Sequence, residues 1–591
     1  MDKKLSLRTM GLSQFTTILS ALLFLRQVAG VTQPTNPNII IILIDDMGFN
    51  DVSFHGSNQI LTPNIDAFAY NGVILNRYYV PNLCTPSRAA LLTGKYPIHN
   101  GMQHFVQIPD EPWGLPLGER LMPQFFRDAG YSTQLVGKWH LGFWRQDHTP
   151  IMRGFDHHFG YYNGYIDYYD HTHYMLDRNY TAGADFRRDL QRCHSDNGTY
   201  ATEAFTKEAR RIIEQHDLSR PLFMVLSHLA VHTGNENQPM QAPYEEVAKF
   251  VHISDPKRRT YAGMVSSLDK SVGQTIRALS DRGMLNNSIV LLYSDNGAPT
   301  LGIHSNSGSN HPFRGQKESP WEGGIRSAGA IWSPLLQKSS YVSDQVIHAI
   351  DWLPTLASAA GVALPDHLNI DGVNMWPTLT ENLEPQPRTL LHVLDDVFGY
   401  SSYMRDNLKY VNGSRFEGRF DSWLGELDAG EIDPLSTFYV QQVLSSEVQQ
   451  VLGSNSLTSE HIKQLRAHAS HHCSINGTIH LQPVYLCHPL QAPCYFNLTN
   501  DPCEHYNLAN LYPLQVQQLE KEVNEFRLKA VESARVPIPD LRANPALHEN
   551  YWEWWNDTET ETVTSGAEKW GSNLLNLIWR YCASYFDFAY K

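Results

Sequence analysis

From Asn38 to about Val393, short uninterrupted apolar runs alternate with segments of helical periodicity. The run Ile39-Ile40-Ile41-Ile42-Leu43-Ile44 lacks the polar alternation of a strand with one wet face, so it predicts a strand buried on both faces. Gln134–Val136, Leu222–Ser227, Ile289–Tyr293 and Gly329–Trp332 predict further strands. Between them, Phe205, Ala209, Ile212 and Ile213 fall at i, i+4, i+7 and i+8, one apolar face of a helix over Glu203–His216. The alternation predicts an α/β fold, a large mostly parallel sheet sandwiched by helices. Ligands of such sheets gather beyond the carboxyl ends of the strands. After about Asp395 the pattern changes: Asp428–Gln464 is polar and helix-like, and Cys473, Cys487, Cys494, Cys503 and Cys582 follow it. The predicted organisation is an α/β domain over residues 31–395, a smaller C-terminal α+β domain over 396–540 and an extension over 541–591, with no internal repeat.

The first thirty residues stand apart. Lys3, Lys4 and Arg8 precede an apolar stretch from Phe15 to Leu25 and the small residues of Val28-Ala29-Gly30. That order predicts a secretory signal peptide over residues 1–30, its apolar part too short to span a bilayer. Seven Asn-x-Ser/Thr sequons, at Asn179, Asn197, Asn286, Asn412, Asn476, Asn497 and Asn556, fit a glycoprotein on the same route. Trp570–Lys591 is aromatic but broken by Arg580, Asp587 and Lys591, which fits neither a transmembrane anchor nor a GPI signal.

Composition sharpens this. With 591 residues, 42% of them hydrophobic and 18% charged, the chain has ample core material, which excludes a disordered or small disulfide-scaffold protein. A formal net charge of −15 argues against a nucleic-acid partner. The 27 histidines qualify that: if all were protonated, they and the 46 basic residues would outnumber the 61 acidic ones, so the sign depends on the compartment. Seven cysteines leave one without an intramolecular partner in a secreted chain.

Two predicted strands end alike. Ile39–Ile44 runs into Asp45-Asp46-Met47-Gly48, and Ile289–Tyr293 into Ser294-Asp295-Asn296-Gly297. If both strands lie parallel in one sheet, Asp45, Asp46, Asp295 and Asn296 could surround one ion. An all-oxygen set suits a hard cation such as Ca²⁺ or Mg²⁺ over Zn²⁺. Each pair could equally cap a helix or turn, where Asp and Asn are favoured.

The segment Leu83-Cys84-Thr85-Pro86-Ser87-Arg88-Ala89-Ala90-Leu91-Leu92-Thr93-Gly94-Lys95 describes a short helix, with Pro86 at a first helical position and Gly94 ending it. Cys84 then sits at a helix N-terminus, which favours anions and depresses a thiol pKa, and Arg88 adds a fixed positive charge. A structural cysteine opening an ordinary helix would carry the same features. Cys-x-Pro-x-Arg followed by Ala-Ala-Leu-Leu-Thr-Gly-Lys resembles the signature of the sulfatase family. Gly137-Lys138-Trp139-His140-Leu141-Gly142 is similar to that family's second signature. Arg153-Gly154-Phe155-Asp156, Trp321-Glu322-Gly323-Gly324 and Asp351-Trp352-Leu353-Pro354-Thr355 resemble its arylsulfatase B (N-acetylgalactosamine-4-sulfatase) branch. The resemblance spans about Asn38–Leu379, with a weaker echo at Cys494–Leu508.

The resemblance implies an alkaline-phosphatase-like fold and hydrolysis of sulfate esters. Cys84 would be oxidised to formylglycine by the formylglycine-generating enzyme in the endoplasmic reticulum. One hydroxyl of the hydrated aldehyde would attack sulfur to form a sulfo-enzyme intermediate, and the other would expel sulfate. The resemblance assigns one Ca²⁺ per active site to Asp45, Asp46, Asp295, Asn296 and the modified Cys84. It gives Arg88 and Lys138 the task of steadying the formylglycine oxygens, His140 that of the base, and Lys317 that of a sulfate ligand beside the leaving group. Lys138 and His140, two apart, would project to one side of an extended segment. Either His228 or His232 could follow the strand Leu222–Ser227; His232 is the expected sulfate ligand and general acid, with His228 still inside the strand. With Cys84 converted, six cysteines remain, enough for three disulfides, and Cys494 and Cys503 are close enough in sequence to pair.

Two rivals stand beside this reading. A phosphatase on a related sheet would use two zinc ions, His-rich ligands and a Ser or Thr nucleophile, which Cys84 and the oxygen ligands oppose. A sulfatase-like binding protein without catalysis would keep Cys84 as a thiol. The arylsulfatase B resemblance implies removal of 4-sulfate from N-acetylgalactosamine of dermatan or chondroitin sulfate; the alternative is another sulfated glycan or a small aryl sulfate. It also implies a lysosomal or secreted protein. In an acidic lysosome, partial histidine protonation would relieve repulsion between the acidic chain and a polyanionic glycan, so activity is expected to be better at mildly acidic than at neutral pH.

Overall fold

A computed structural model describes residues 36–557 apart from 176–181, 303, 426, 428–436, 454–456, 472 and 474–485. The expected signal peptide, the sequons at Asn179 and Asn476, Cys582 and the aromatic C-terminal stretch lie outside the described residues.

The main sheet contains β1 (Asn38–Ile44), β2 (Val73–Tyr79), β3 (Ser132–Lys138) and β4 (His157–Tyr161). A small hairpin of β5 (Thr172–His173) and β6 (Gly183–Ala184) stands apart from it. The main sheet continues with β7 (Arg187–Arg188), β8 (Gln191–Arg192), β9 (Leu222–Ser227), β10 (Ser288–Ser294), β11 (Gly329–Trp332) and β12 (Tyr341–His348). Its order is β12-β2-β11-β10-β1-β9-β3-β4-β7-β8. The run β10-β1-β9-β3-β4 is parallel throughout, while β11 lies antiparallel between β10 and β2. The expected parallel sheet is therefore the centre of a larger mixed one.

The apolar run in β1 has a simple cause: both of its faces are covered. Ile40, Ile42 and Ile44 pack into one core with residues of the helices Pro63–Asn71, Ala201–Gln215 and Pro256–Asp281. Ile39, Ile41 and Leu43 pack into the other with Cys84–Thr93, Met122–Asp128 and Trp352–Ala359. Phe205, Ala209, Ile212 and Ile213 are buried on helix Ala201–Gln215, as their spacing predicts. The polar stretch after Asp428 supplies helices Thr437–Ser445, Glu447–Leu452 and Ser459–Ala469, whose Tyr439, Val443, Val448 and Ile462 join the first core.

The smaller C-terminal unit is an antiparallel sheet of β13 (Thr389–Asp395), β14 (Tyr400–Arg405), β15 (Leu408–Asn412) and β16 (Cys494–Asn497), with helix Pro513–Lys529 packed on it. Two disulfides pin its connections, Cys473–Cys503 and Cys487–Cys494, which corrects the expected pairing of Cys494 with Cys503. Cys494 opens β16 and the preceding loop turns back at His488–Gln491 to bring Cys487 beside it. Cys503 lies beyond the turn at Asn497–Asp501 and packs with Phe49, Phe313 and Cys473. No helix among the described residues is long and apolar enough to cross a membrane. The described sequons Asn197, Asn286, Asn412, Asn497 and Asn556 are all solvent-accessible.

Candidate active site

Parallel pairing in register, Ile44 opposite Ser294, makes β1 and β10 deliver Asp45-Asp46 and Asp295-Asn296 side by side. Asn296 donates from Nδ2 to Asp46 Oδ1 at 2.6 Å, and Asp46 takes a left-handed φ of 59° to turn its carboxylate inward. Gly297 follows because a Cβ there would stand 1.9 Å from the Gly323 carbonyl oxygen. All four acidic or amide side chains are buried.

The helix Cys84–Thr93 brings the sulfur to this cluster. It opens at Cys84, with Pro86 at its third position and not its first, and ends at Gly94 in the left-handed region. Cys84 Sγ lies 3.6 Å from Asp45 Oδ1 and 4.0 Å from Asp46 Oδ1. One turn on, Arg88 donates from Nε and Nη2 to Asp295 Oδ2 at 3.1 and 2.7 Å and from Nη1 to Ser227 Oγ at 2.6 Å. Lys138, the last residue of β3, reaches Asp45 Oδ2 at 2.6 Å. Lys317 reaches Asp46 Oδ1 at 2.7 Å. Three buried cations thus face three buried carboxylates, the arrangement that offsets the cost of taking either sign out of water.

The histidines divide. His232 lies at the cluster, Nε2 3.4 Å from Asp46 Oδ2 and Nδ1 2.7 Å from the Thr233 carbonyl. His228 comes directly after β9, not within it as expected, though its N–H still donates to the Leu43 carbonyl. Its ring points to Ser271 on helix Pro256–Asp281. His140 takes φ 57°, so the segment is extended only as far as Lys138. The His140 ring donates from Nε2 to the Gln107 carbonyl at 3.0 Å, while Nδ1 is buried with no partner among the described residues.

Burial dominates the electrostatics. It holds His232 and His140 well below the usual imidazole range, helped by Lys317 and Lys138 at His232 and by Lys138 and Arg88 at His140. It raises the Asp295 carboxyl, aided by Asp45 and opposed by Arg88. Burial works against the Lys317 ammonium, but Asp46 outweighs it and the group titrates well above the ordinary lysine range. The helix N-terminus predicts a depressed Cys84 thiol, and the structure corrects this. Burial pushes the thiol up, Lys138 and Lys317 oppose it, and Asp295 and Asp45 add to the rise.

The family model Sulfatase matches residues 37–362, which contain every group just placed. The chain belongs to the sulfatase family. It is 36% identical to mouse arylsulfatase J over 546 residues, covering 91% of this chain and 84% of the relative. It is 34% identical to mouse N-acetylgalactosamine-6-sulfatase over 378 residues, covering 62% and 70%. The PsFucS1 sulfatase from Pseudoalteromonas sp. shares the fold at TM-score 0.61 and 21% identity, over 89% of this chain and 96% of that one.

Sulfatases hydrolyse sulfate esters, and the family implies a formylglycine and a divalent metal. The residues fit such an ion: ligand atoms of Asp45, Asp46, Asp295 and Cys84 all lie within 4.8 Å of one another, and Asn296 Oδ1 is buried with no partner among the described residues. The sequence did not disclose the residues that hold these ligands. Ser227 fixes the third edge of Arg88, and Asn306 donates to the backbone carbonyls of Asp46 and Val231. Ser227's place at the end of a predicted strand beside β1 was its only signal; Asn306 had none.

Proposed function

We propose that this sulfatase removes the 4-sulfate of N-acetylgalactosamine at the ends of dermatan or chondroitin sulfate, in the lysosome or after secretion, with formylglycine at Cys84 and one Ca²⁺. The observation that carries the sulfatase part is the buried cluster of Cys84, three carboxylates and three cations. Asp45, Asp46, Asp295, Asn296 and the modified Cys84 would hold the ion, and their oxygen-rich set favours a hard cation over zinc. When present, the ion and the formylglycine supply charge neutralisation and a hydroxyl nucleophile.

Around them, Arg88 and Lys138 hold positive charge where the modified side chain carries its oxygens. Lys138 and Lys317 neutralise the sulfuryl oxygens from two sides. His140, tied at Nε2–H to Gln107, keeps its lone pair on Nδ1 and acts as the base that takes the hydroxyl proton. His232 carries its Nδ1–H to Thr233, so a proton for the leaving oxygen travels on Nε2. A bound sulfate ester offsets the Lys317 and Lys138 charges that depress His232, which raises its protonated fraction. The galactosamine preference is supported by the arylsulfatase B-like blocks and by a relative named for N-acetylgalactosamine-6-sulfate; that relative makes the 6-position the second reading. The five accessible sequons fit a secreted or lysosomal glycoprotein.

The test is hydrolysis of 4-sulfated and 6-sulfated galactosamine ends, and of glucosamine 6-sulfate, by protein secreted from animal cells. Faster release from the 4-sulfated end is expected, with loss of all release in Cys84→Ala and the mass shift of cysteine to formylglycine on the Cys84 peptide. An unmodified thiol or activity surviving in C84A would sink the mechanism, and faster release from the 6-sulfated end would replace the substrate.

A further inference from the structure

Beside His232 lies a set of rings that none of these roles employs. Tyr165 stacks on His232, centroids 5.5 Å apart and planes at 13°. His304 meets both, its ring 5.4 Å from His232 and 4.8 Å from Tyr165. His173 meets Tyr165 edge to face, centroids 4.5 Å apart. His232 and His173 are buried, whereas Tyr165 and His304 keep contact with solvent. The exposed face of the set therefore belongs to Tyr165 and His304, directly beside the group expected to face the leaving oxygen.

His304 is held in place. It adopts φ 61°, a conformation rarely taken by a non-glycine residue, and its Nδ1 lies 3.3 Å from the hydroxyl of Thr233, the neighbour of His232. Its loop is moored two residues on, where Asn306 bonds the carbonyls of Asp46 and Val231. The chain thus leaves the Asp295-Asn296 pair, presents His304 beside the leaving-group side, and returns to lock onto the metal-ligand strand.

Resting on the sulfatase reading, we propose that Tyr165 and His304 form the sugar-recognition wall: the pyranose bearing the scissile sulfate lies against Tyr165, and a ring hydroxyl bonds His304 Nε2. The chemistry of the wall favours a hydroxyl over a second anion. Lys138, Lys317 and Arg88 are each paired with a carboxylate. Desolvation of its ring holds the His304 imidazole well below its usual range, reinforced by His232 and Lys317 and opposed by Asp46. A neutral imidazole beside a phenol ring suits the mixed apolar and hydroxyl surface of a sugar, and a polar group left without its hydroxyl partner penalises a substrate that lacks one.

The test compares wild type, His304→Ala and His304→Gln on 4-nitrophenyl sulfate and on whichever galactosamine sulfate end the wild type cleaves faster. His304→Ala is expected to lower kcat/KM on the sugar about tenfold more than on the aryl sulfate, mainly through KM, as loss of one hydrogen bond and one ring contact implies. His304→Gln, which restores a donor and acceptor, is expected to recover most of that difference. If the alanine variant melts early, His304→Leu, which fills the ring's space without its nitrogens, decides by the same selective loss on the sugar. Equal proportional losses on the two substrates, or a sugar rate unchanged in both variants, overturns the inference. So does cleavage of 4-nitrophenyl sulfate with no cleavage of either sugar, while the sulfatase reading survives. Wild type that cleaves no ester overturns the sulfatase reading itself.

Discussion

Arg88 shows how much one side chain does at this site. Its planar fork binds Asp295 through two nitrogens and Ser227 through the third, with Asp45 3.6 Å away. A lysine keeps the charge but has a single nitrogen and no fork. Arg88→Lys is therefore expected to fold yet to lose about 100-fold in kcat on 4-nitrophenyl sulfate, the scale of losing one preorganised charge-stabilising donor. Steady-state rates and a melting curve check both halves; near-wild-type turnover would show that the fork is dispensable. The same residue marks what a motif can and cannot say. Cys-x-Pro-x-Arg placed Arg88 near Cys84 because four residues is one helical turn, but Asp295 and Ser227, on other strands, decide where the guanidinium points.

At the scale of elements, the loop carrying Lys317 is braced by the C-terminal sheet. Lys409, in β15, reaches Glu322 at 2.9 Å and Glu504 at 2.7 Å, all three side chains fully buried. Glu504 also accepts the Glu322 N–H at 2.9 Å, and Tyr79 donates to Glu322 at 3.0 Å. Burial and the Glu322 charge lift Glu504 to about 7 against the pull of Lys409. Lys409→Met is expected to cost about 3–5 kcal/mol, because it strands two buried carboxylates, and the double variant Lys409→Met/Glu504→Gln to regain part of that loss. Urea unfolding of both proteins measures it; equal stabilities of wild type and K409M would show that the cluster contributes nothing net. The change of pattern after about Asp395 announced a separate C-terminal domain, not its individual strands. It could not announce the ionic lock, since a lysine in a half-polar strand looks the same whether it meets water or two glutamates.

For the whole molecule, the histidines matter through burial more than through number. Burial holds His55, His158 and His228 at about 3 and His148 and His173 at about 4. These rings stay neutral in the folded chain at pH 5, so the folded protein gains less positive charge than its 27 histidines would allow. Each has a folded pKa below its unfolded value of 6.5, so its stability is complete above pH 6.5 and is lost progressively as pH falls toward 3 or 4. Asp66 at about 8, Asp269 at about 6 and Glu504 at about 7 act in the opposite sense, binding protons in the folded state first. The histidines outnumber them, so the melting temperature is expected to be lower at pH 5 than at pH 7. His228→Gln, at a ring shifted by burial alone, should shrink that drop; a stability equal or greater at pH 5 would refute the account.

The sequence by itself determined the α/β character, the buried central strands, the acidic strand ends and the Cys84 helix. Each of these is written locally, in apolar runs, in helical spacing or in a contiguous signature. Only the tertiary structure decided that β1 and β10 are in-register neighbours, so that two separate acidic pairs become one cluster. It also separated His232 from His228, because the chain beyond β9 turns one ring toward Asp46 and the other toward Ser271. It set the thiol and imidazole pKa values by burial, a property of the packed interior that no local pattern carries. And it paired Cys494 with Cys487 and Cys503 with Cys473, since closeness in sequence does not say which way a loop turns.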